Sequence, residues 1–234
     1  MDDSRAVRAI AGAGDLTEAL AIARAFFRGH GFHALSYARP SRDHPGRADA
    51  VTFGFPESFV ARYDEELNRL DPFPALVARA GRAIRFGRLA EEQALTPDHQ
   101  LFLDEAREHG VTDGYIFPTF GPREHLAAVG ISMADHPDRV DHADVPILHS
   151  VAQATHLRLD QLEHGNTPRP HLAPREVTIL HWIARGKSNE EIALILGNRR
   201  PTIATHIKRI FGKLDVTDRA SAAVRGIKLG IINV

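Results

Sequence analysis

The first two thirds of the chain alternate between helical and strand-like patterns of apolar residues. Apolar positions over 17–27 predict a helix, and HALSYARP and VTFGF, both within 33–55, predict strands around a loop rich in Pro, Gly and Asp. Further helices are predicted over 56–70, 72–82, 96–109 and 139–163. GYIFPTF and HLAAVGISM, between the last two helices, predict two more strands. This mixture predicts an α+β protein with an N-terminal α/β/α sandwich.

The last quarter of the chain has a helical pattern only. Helices are predicted over 174–185 and 188–196, from about residue 201, and after residue 217. Ser188 and Glu191 have the spacing of a capping box at the start of the second helix, and Gly197 ends that helix. One apolar stripe at i, i+4, i+7 and i+11 marks the buried face of the third helix: Ile203, Ile207, Ile210 and Leu214. We therefore predict an all-α four-helix domain here.

A stretch without apolar periodicity separates the two patterns. Residues 163–171 contain Gly165, Asn166, Pro168 and Pro170, a composition typical of a linker. We predict a first domain over 1–164, a linker over 165–171 and a second domain over 172–234.

The distribution of charged residues follows the same division of the chain. The net charge is −1, yet 12 basic and 5 acidic residues lie from Gly165 onward, whereas 17 basic and 25 acidic residues precede it. A basic domain in a nearly neutral chain indicates nucleic-acid binding. The alternative is two domains whose compositions differ without functional consequence.

Composition excludes several classes of protein. No apolar run reaches the roughly 20 residues that cross a bilayer, and the acidic N-terminus lacks a signal-peptide pattern. The absence of cysteine excludes disulfides, thiolate metal sites and cysteine nucleophiles. We expect a cytoplasmic protein with no membrane partner.

The exposed face of the third helix carries residues suited to DNA. Ala204 and Thr205 can meet a thymine methyl group, and Lys208 can donate to guanine acceptors. Arg199 and Arg200 precede the helix, where they can meet phosphates. The predicted DNA-binding set is Lys187, Arg199, Arg200, Thr202, Ala204, Thr205, Lys208, Arg209 and Lys213. The alternative is a small helical bundle with a solvated basic face.

The sequence over 172–223 resembles the DNA-binding domain of LuxR-type transcription regulators. It differs from the family pattern at Arg199, where Ser or Thr is usual, and at Pro201, where a polar or basic residue is usual. The matching positions are Glu176, Leu180, Gly186, Ser188, Glu191, Ile192, Ala193, Thr202, Ile203, His206, Lys213, Leu214, Arg219 and Ala220. The resemblance implies a helix-turn-helix, double-stranded DNA as partner, and a homodimer.

The stretches FPESFVARYDEELNRLDPF and HGVTDGYIFPTFGP resemble the autoinducer-binding domain of quorum-sensing regulators. Tyr63, Asp71, Pro72 and Gly114 fall on pocket positions of that family. The resemblance implies that the Asp accepts the amide N–H of an acyl-homoserine lactone and that the Tyr holds an acyl carbonyl. A phosphoreceiver, another sensor found with this DNA-binding domain, is excluded because 1–164 contains no lysine.

Two pocket positions depart from the family. Phe59 and Phe86 stand where Trp is usual, and Phe cannot donate the hydrogen bond that the resemblance assigns to the first Trp, toward the lactone carbonyl. This loss corresponds to about 1–3 kcal/mol of binding free energy. The predicted ligand-binding set is Phe59, Tyr63, Asp71, Pro72, Phe86 and Gly114. Alternatively, the aromatic residues are ordinary core residues and Asp71 only caps the helix that follows.

No catalytic or metal-binding constellation is evident. His142, His149 and His156 recur every seven residues, about 10.5 Å of helical rise, which is too far apart for one metal ion. We expect these histidines to be solvated or to face an interface. No nucleophile elbow or phosphate-binding loop is present, so we predict neither an enzyme nor a cofactor other than a signal molecule.

The combined expectation is a dimeric regulator that senses an acyl-homoserine lactone or a related small apolar signal and binds near-palindromic DNA. The alternative is a LuxR-type regulator that needs no ligand. The buried or dimer-facing side of the helix over 139–163 is expected to comprise Val140, Leu148, Val151, Leu159 and Leu162.

Overall fold

The computed structural model describes residues 2–41, 47–92, 94–121, 126–165 and 170–233. The described residues form two compact units, one up to residue 165 and one from residue 170 onward. Most of the predicted linker, residues 166–169, lies outside the described residues.

The first unit is built on a five-stranded antiparallel sheet. Its strands have the spatial order β2-β1-β5-β4-β3. They are β1 (Phe32–Pro40), β2 (Ala48–Phe53), β3 (Ile84–Arg85), β4 (Gly114–Phe120) and β5 (Leu126–Ala134). Ser36 of β1 lies opposite Thr52 of β2 on one side and Gly130 of β5 on the other. This register decides which side chains share a face of the sheet.

Helices cover both faces of the sheet. They are α1 (Asp3–Gly12), α2 (Leu16–Gly29), α3 (Glu57–Glu65), α4 (Phe73–Ala80), α5 (Leu89–Glu92), α6 (Pro97–Glu108), α7 (Pro137–Asp141) and α8 (Val145–His164). Val129 and Ile131 of β5 belong to one core with residues of α1, α2 and α8. Ala128 belongs to a second core with residues of α3, α4 and α6. Since successive side chains of a strand point to opposite faces, this division confirms the predicted α/β/α sandwich.

The single helix predicted over 139–163 is wrong, because the chain forms α7 and α8 instead. Asp144 begins α8 by accepting a hydrogen bond from the Ile147 amide at 3.3 Å, and Pro146 follows in the first turn. A proline has no N–H and is tolerated at a helix start but not inside a helix.

Two of the three regularly spaced histidines, His149 and His156, contact the sheet, so for these two the expectation of a solvated or interfacial position is wrong. The Nε2 atom of His149 lies 2.7 Å from the Pro118 carbonyl oxygen, and the Nδ1 atom of buried His156 lies 2.9 Å from the Tyr37 hydroxyl. His142 follows α7 and is exposed. Of the residues expected on the buried or dimer-facing side, four are buried inside the unit and Leu162 is half-buried: Val140, Leu148, Val151 and Leu159.

The second unit consists of four helices, as predicted. They are α9 (Pro174–Ala184), α10 (Asn189–Ile195), α11 (Arg200–Leu214) and α12 (Arg219–Lys228). The capping box of α10 is formed: the Glu191 amide donates to Ser188 Oγ at 3.2 Å, and the Ser188 amide donates to Glu191 Oε2 at 2.8 Å. The predicted apolar stripe of α11 is buried in the core of this unit. Across the described residues, no helix is both long and apolar enough to cross a membrane.

Candidate ligand cavity and DNA-binding face

A cavity of about 70 Å³ lies in the first unit between the sheet and helices α3, α4 and α6. Its sheet wall is made of small side chains: Ser36, Ala38, Ala50, Thr52, Ala128, Gly130 and Ser132. Its opposite wall is rich in aromatic rings: Phe55, Phe59, Tyr63, Phe73, Phe86 and Phe102. The small residues on the sheet leave the space that the rings enclose. A mostly apolar cavity with few polar groups is typical of a small-molecule site.

Asp71 forms the charged end of the cavity wall. Its Oδ2 atom accepts a hydrogen bond from the Tyr63 hydroxyl at 2.8 Å, and its Oδ1 atom accepts one from the Phe73 amide at 2.9 Å. Asp71 therefore caps α4 and lines the cavity at the same time. Burial raises the pKa of Asp71 to about 6, although both hydrogen bonds act to lower it. Burial and the adjacent carboxyl group also raise the pKa of Tyr63, so the phenol remains a donor.

The structure brings four of the six predicted ligand-binding residues to the cavity wall: Phe59, Tyr63, Asp71 and Phe86. The aromatic three are also buried members of the second core, so the core and cavity interpretations both apply. Pro72 and Gly114 are not among the lining residues. Pro72 precedes α4. A Cβ atom on Gly114 would overlap the Ile131 carbonyl oxygen and lie 2.8 Å from the Phe86 ring. Glycine at this position therefore leaves the space that the Phe86 ring occupies.

A polar network holds the segment that carries Phe86. Arg85 donates from Nε and Nη2 to Asp113 Oδ2 at 2.9 and 2.6 Å, and from Nη1 to Asp141 at 2.6 Å. Asp113 also accepts a hydrogen bond from the Gly114 amide at 2.8 Å. Bidentate pairing of this kind fixes geometry as well as charge.

Sequence reasoning missed several lining residues, among them the hydroxyl groups of Ser36, Thr52 and Ser132. These residues are far apart in the chain and share a face only through the strand register. Phe55 and Phe73 lie at the two ends of the first stretch that resembles the family, and could have been included on that ground. The described residues contain no group of three or more His, Asp or Glu that could hold a metal ion.

In the second unit, α11 exposes most of the predicted DNA-binding residues. Thr202, Ala204, Thr205, Lys208 and Arg209 are exposed, while the isoleucines of the same helix are buried. The Thr205 hydroxyl donates to the Pro201 carbonyl at 3.1 Å, which favours contact with a base through its methyl group. No side chain caps α11, where Arg199 holds the N-cap position. Pro201 has no N–H, and the Thr202 amide donates to the Arg199 carbonyl oxygen at 3.0 Å.

The other predicted DNA-binding cations form ion pairs within the unit. Lys187 pairs with Glu191 at 2.9 Å, and Arg200 pairs with Glu190 at 3.2 Å. Such exposed pairs contribute little to stability and can exchange for phosphate. Lys213 differs, because its Nζ atom lies 2.6 Å from Oε2 of Glu176.

Glu176 is a buried carboxylate that also accepts a hydrogen bond from the Ala173 amide at 2.8 Å. Burial acts to raise the pKa of Glu176, but the hydrogen bonds from Lys213 and Ala173 outweigh it and hold the pKa below its usual value. Lys213 therefore neutralises a buried carboxylate of its own unit, a contact that sequence reasoning did not assign.

Comparisons with known proteins match both units. The model of the autoinducer binding domain matches residues 15–159, and the model of bacterial regulatory proteins of the luxR family matches residues 170–225. The chain is 32% identical to the putative HTH-type transcriptional regulator y4qH of Sinorhizobium fredii, over 64% of this chain but only 47% of that protein. It is 27% identical to the quorum sensing-dependent transcriptional regulator RpaR of Rhodopseudomonas palustris, over 77% of this chain and 74% of that protein.

The fold matches that of Escherichia coli SdiA. The TM-score is 0.73 at 18% identity, and the match covers 99% of this chain and 98% of SdiA. A second SdiA structure, in complex with octanoyl-rac-glycerol, matches with a TM-score of 0.68. At this identity the likeness establishes a common fold.

Proposed function

Because the chain belongs to the LuxR family of quorum-sensing transcription regulators, which are not enzymes, we propose that it is a ligand-responsive cytoplasmic homodimer that binds near-palindromic DNA. The observation that carries this proposal is the exposed stripe of α11, in which Ala204, Thr205 and Lys208 lie opposite buried isoleucines. Two such helices, one from each protomer, reach half-sites about 34 Å apart, one turn of DNA.

In this proposal, the residues of the stripe have separate roles. Lys208 donates to base acceptors in the major groove, whereas Arg199 and Arg200 contact phosphates and set the register. The pair between Arg200 and Glu190 opens on binding, because both side chains are exposed and a phosphate can replace the carboxylate.

The ligand of the first unit is an acyl-homoserine lactone or a related small apolar signal. Support comes from a cavity with aromatic walls and one carboxylate, whose lining residues all lie within the range that matches the autoinducer binding domain. A ligand that fills this cavity completes the core and shifts the population toward the DNA-competent dimer.

The DNA half of the proposal is tested with sites selected from a randomised duplex pool. Lys208→Ala is expected to reduce the preference for the selected site, whereas Arg200→Ala weakens binding to all duplexes. The matched control is Arg225→Ala, which removes an exposed charge of the same unit from α12. Binding should weaken with salt at a slope of about −0.9 per phosphate contact. Unchanged site preference in Lys208→Ala would contradict the assignment of the base-contacting face.

The ligand half is tested by thermal melting and DNA affinity across acyl-homoserine lactones and octanoyl-rac-glycerol, and by mass spectrometry of small molecules that copurify. A ligand-responsive protein melts at a higher temperature and binds DNA more tightly with at least one compound. Equal values with every compound would instead support the ligand-independent alternative.

A further inference from the structure

The polar groups of the cavity wall are few and unequal in hydrogen-bonding character. Only five of the described lining residues have a polar side chain: Ser36, Thr52, Tyr63, Asp71 and Ser132. These described lining residues include no Lys, Arg, His, Trp, Asn or Gln. The side chains that line the cavity therefore offer no cation to an acidic ligand and no N–H donor to a carbonyl group.

Around Asp71, the wall offers acceptors. The Tyr63 hydroxyl hydrogen is directed to Asp71 at 2.8 Å, and the Ser132 hydroxyl hydrogen is directed to the Asp113 carbonyl oxygen at 2.8 Å. Each of these two hydroxyl groups has one hydrogen, so what remains for a ligand is oxygen lone pairs. The Asp71 carboxylate can accept further hydrogen bonds besides the two it receives.

The donors that remain lie on the sheet. Ser36 and Thr52 are directly opposite each other in the pairing of β1 with β2, and both line the cavity. Gly130, opposite Ser36 on the other side, has no Cβ atom to fill the space next to the Ser36 hydroxyl. Two neighbouring hydroxyl groups can serve the carbonyl oxygen of one acyl group. A second carbonyl group on the same ligand would face the acceptors around Asp71, with which it cannot form a hydrogen bond.

We propose that the cavity prefers an uncharged acyl compound with a single carbonyl and a hydroxyl-bearing head group, such as a glycerol monoester, over an acyl-homoserine lactone. The ester carbonyl accepts from Ser36 or Thr52, and the head-group hydroxyls donate to Asp71. The ring carbonyl of a lactone finds no side-chain donor near Asp71, because Phe59 has none and the hydroxyl hydrogens of Tyr63 and Ser132 are directed to other acceptors. This inference rests on the proposed ligand-binding function.

The test compares three probes with the same eight-carbon acyl chain by isothermal titration calorimetry at pH 7.5. They are 1-octanoyl-rac-glycerol, its dimethyl ether and N-octanoyl homoserine lactone. The dimethyl ether keeps the acyl chain and the acceptors of the glycerol ester but has no donor, and it is larger by two methyl groups. A loss of affinity that is caused by this larger size would persist in the Asp71→Asn variant described below. We expect the glycerol ester to bind about tenfold more tightly than either of the others, because each of the others leaves one polar group without a hydrogen bond.

Two variants assign the preference to residues. Phe59→Trp adds an indole N–H and should increase the affinity for the lactone several-fold, whereas Phe59→Leu, which adds no donor, should not. Asp71→Asn should reduce the difference between the glycerol ester and its dimethyl ether. Thermal melting of each variant shows whether it is folded.

The outcomes separate the two proposals. A lactone that binds as tightly as the glycerol ester, or tighter, overturns this inference and leaves the ligand-responsive function in place. Equal affinity for the glycerol ester and its dimethyl ether also overturns it. If no eight-carbon probe binds and no acyl-homoserine lactone of any length shifts the melting temperature, both proposals fail.

Discussion

Asp71 of the sheet unit and Glu176 of the helical unit are both carboxyl groups withdrawn from water, but their surroundings have opposite effects on their pKa values. Asp71 receives two neutral hydrogen bonds, and burial raises its pKa to about 6. Glu176 is a buried side chain, yet the Lys213 ammonium group lies 2.6 Å from its carboxylate and its pKa is lowered. A cation of the same unit balances the charge of Glu176, whereas Asp71 forms no ion pair among the described residues.

This difference is consistent with a structural role for the charge of Glu176 and supports the ligand-binding role proposed for Asp71. A buried charge without a counter-charge destabilises the folded protein, so its retention indicates a use other than stability. Asp71 faces a cavity where a ligand can donate to it, whereas Glu176 joins Lys213 of α11 to the start of α9. We therefore expect removal of the two charges to change stability in opposite directions.

The largest expected effect is that of Asp71→Asn. The folded-state pKa lies above the ordinary value near 4, so the folded protein binds more protons than the unfolded one between pH 4 and 6. The stability of the wild type therefore falls as pH rises through this window. The asparagine keeps an acceptor for the Phe73 amide and has no charge. It should raise the free energy of unfolding at pH 7 by up to about 3 kcal/mol, and by much less at pH 4.5.

All three tyrosines of the chain lie in the sheet unit, so near-ultraviolet circular dichroism of tyrosine follows its unfolding in urea. The control is Asp64→Asn, which removes an exposed charge one residue after Tyr63 and should leave stability unchanged. A variant at Asp71 that is less stable than the wild type at pH 7 would contradict the comparison.

The opposite sign is expected for Glu176→Gln. Glutamine can still accept from the Ala173 amide but cannot balance the charge of Lys213, and we expect a loss of about 1–3 kcal/mol at pH 7. Because the folded-state pKa is lowered, this contribution is present above about pH 4.5 and is lost as pH falls through the folded-state value. The single tryptophan, Trp182, lies in α9, so its fluorescence during urea unfolding reports on this unit.

The double variant Glu176→Gln, Lys213→Met provides the control for this pair. It removes both partners and should recover part of the stability that Glu176→Gln loses, because no unpaired ammonium remains. If Glu176→Gln were as stable as the wild type, the ion pair would have no structural role, and Lys213 would again be a candidate for phosphate contact.

The two units also differ in how far their sites can be predicted from the sequence. The buried and exposed faces of α11 follow from one period within fifteen residues, so Ile203 and Lys208 were placed correctly from the sequence. The cavity depends on pairing between distant strands, which brings Ser36 opposite Thr52 and Gly130. The pattern of apolar residues contains no information on this register. The predicted part of the cavity wall was therefore limited to residues on the stretches that resemble the family and to Phe86: Phe59, Tyr63, Asp71 and Phe86.

A local interaction of the helical unit gives the next smaller effect. Ser188→Ala removes the oxygen that accepts from the Glu191 amide, and loss of such an N-cap costs about 1 kcal/mol. Urea unfolding followed by Trp182 fluorescence measures the change. Thr178→Ala is the matched control, because it removes an exposed hydroxyl from inside α9, where no cap is lost. Equal effects of the two substitutions would show that the capping box contributes nothing of its own.

The smallest expected effect is a gain in stability from Gly212→Ala. Gly212 lies inside α11 with no atom within 4 Å of where its Cβ would be, so alanine should add about 0.5–1 kcal/mol by restricting the unfolded chain. Gly226→Ala in α12 is the matched control and should be destabilising, because its Cβ would lie 2.7 Å from Leu180.

The same Gly212→Ala variant also tests how far the DNA-contacting stripe extends. Gly212 is about 10.5 Å along the helix from Thr205. Since bases are contacted by the first turns of such a helix, DNA affinity should stay within about twofold of the wild type. A loss of affinity in a stabilised Gly212→Ala variant would mean that the DNA-contacting stripe extends to the end of α11.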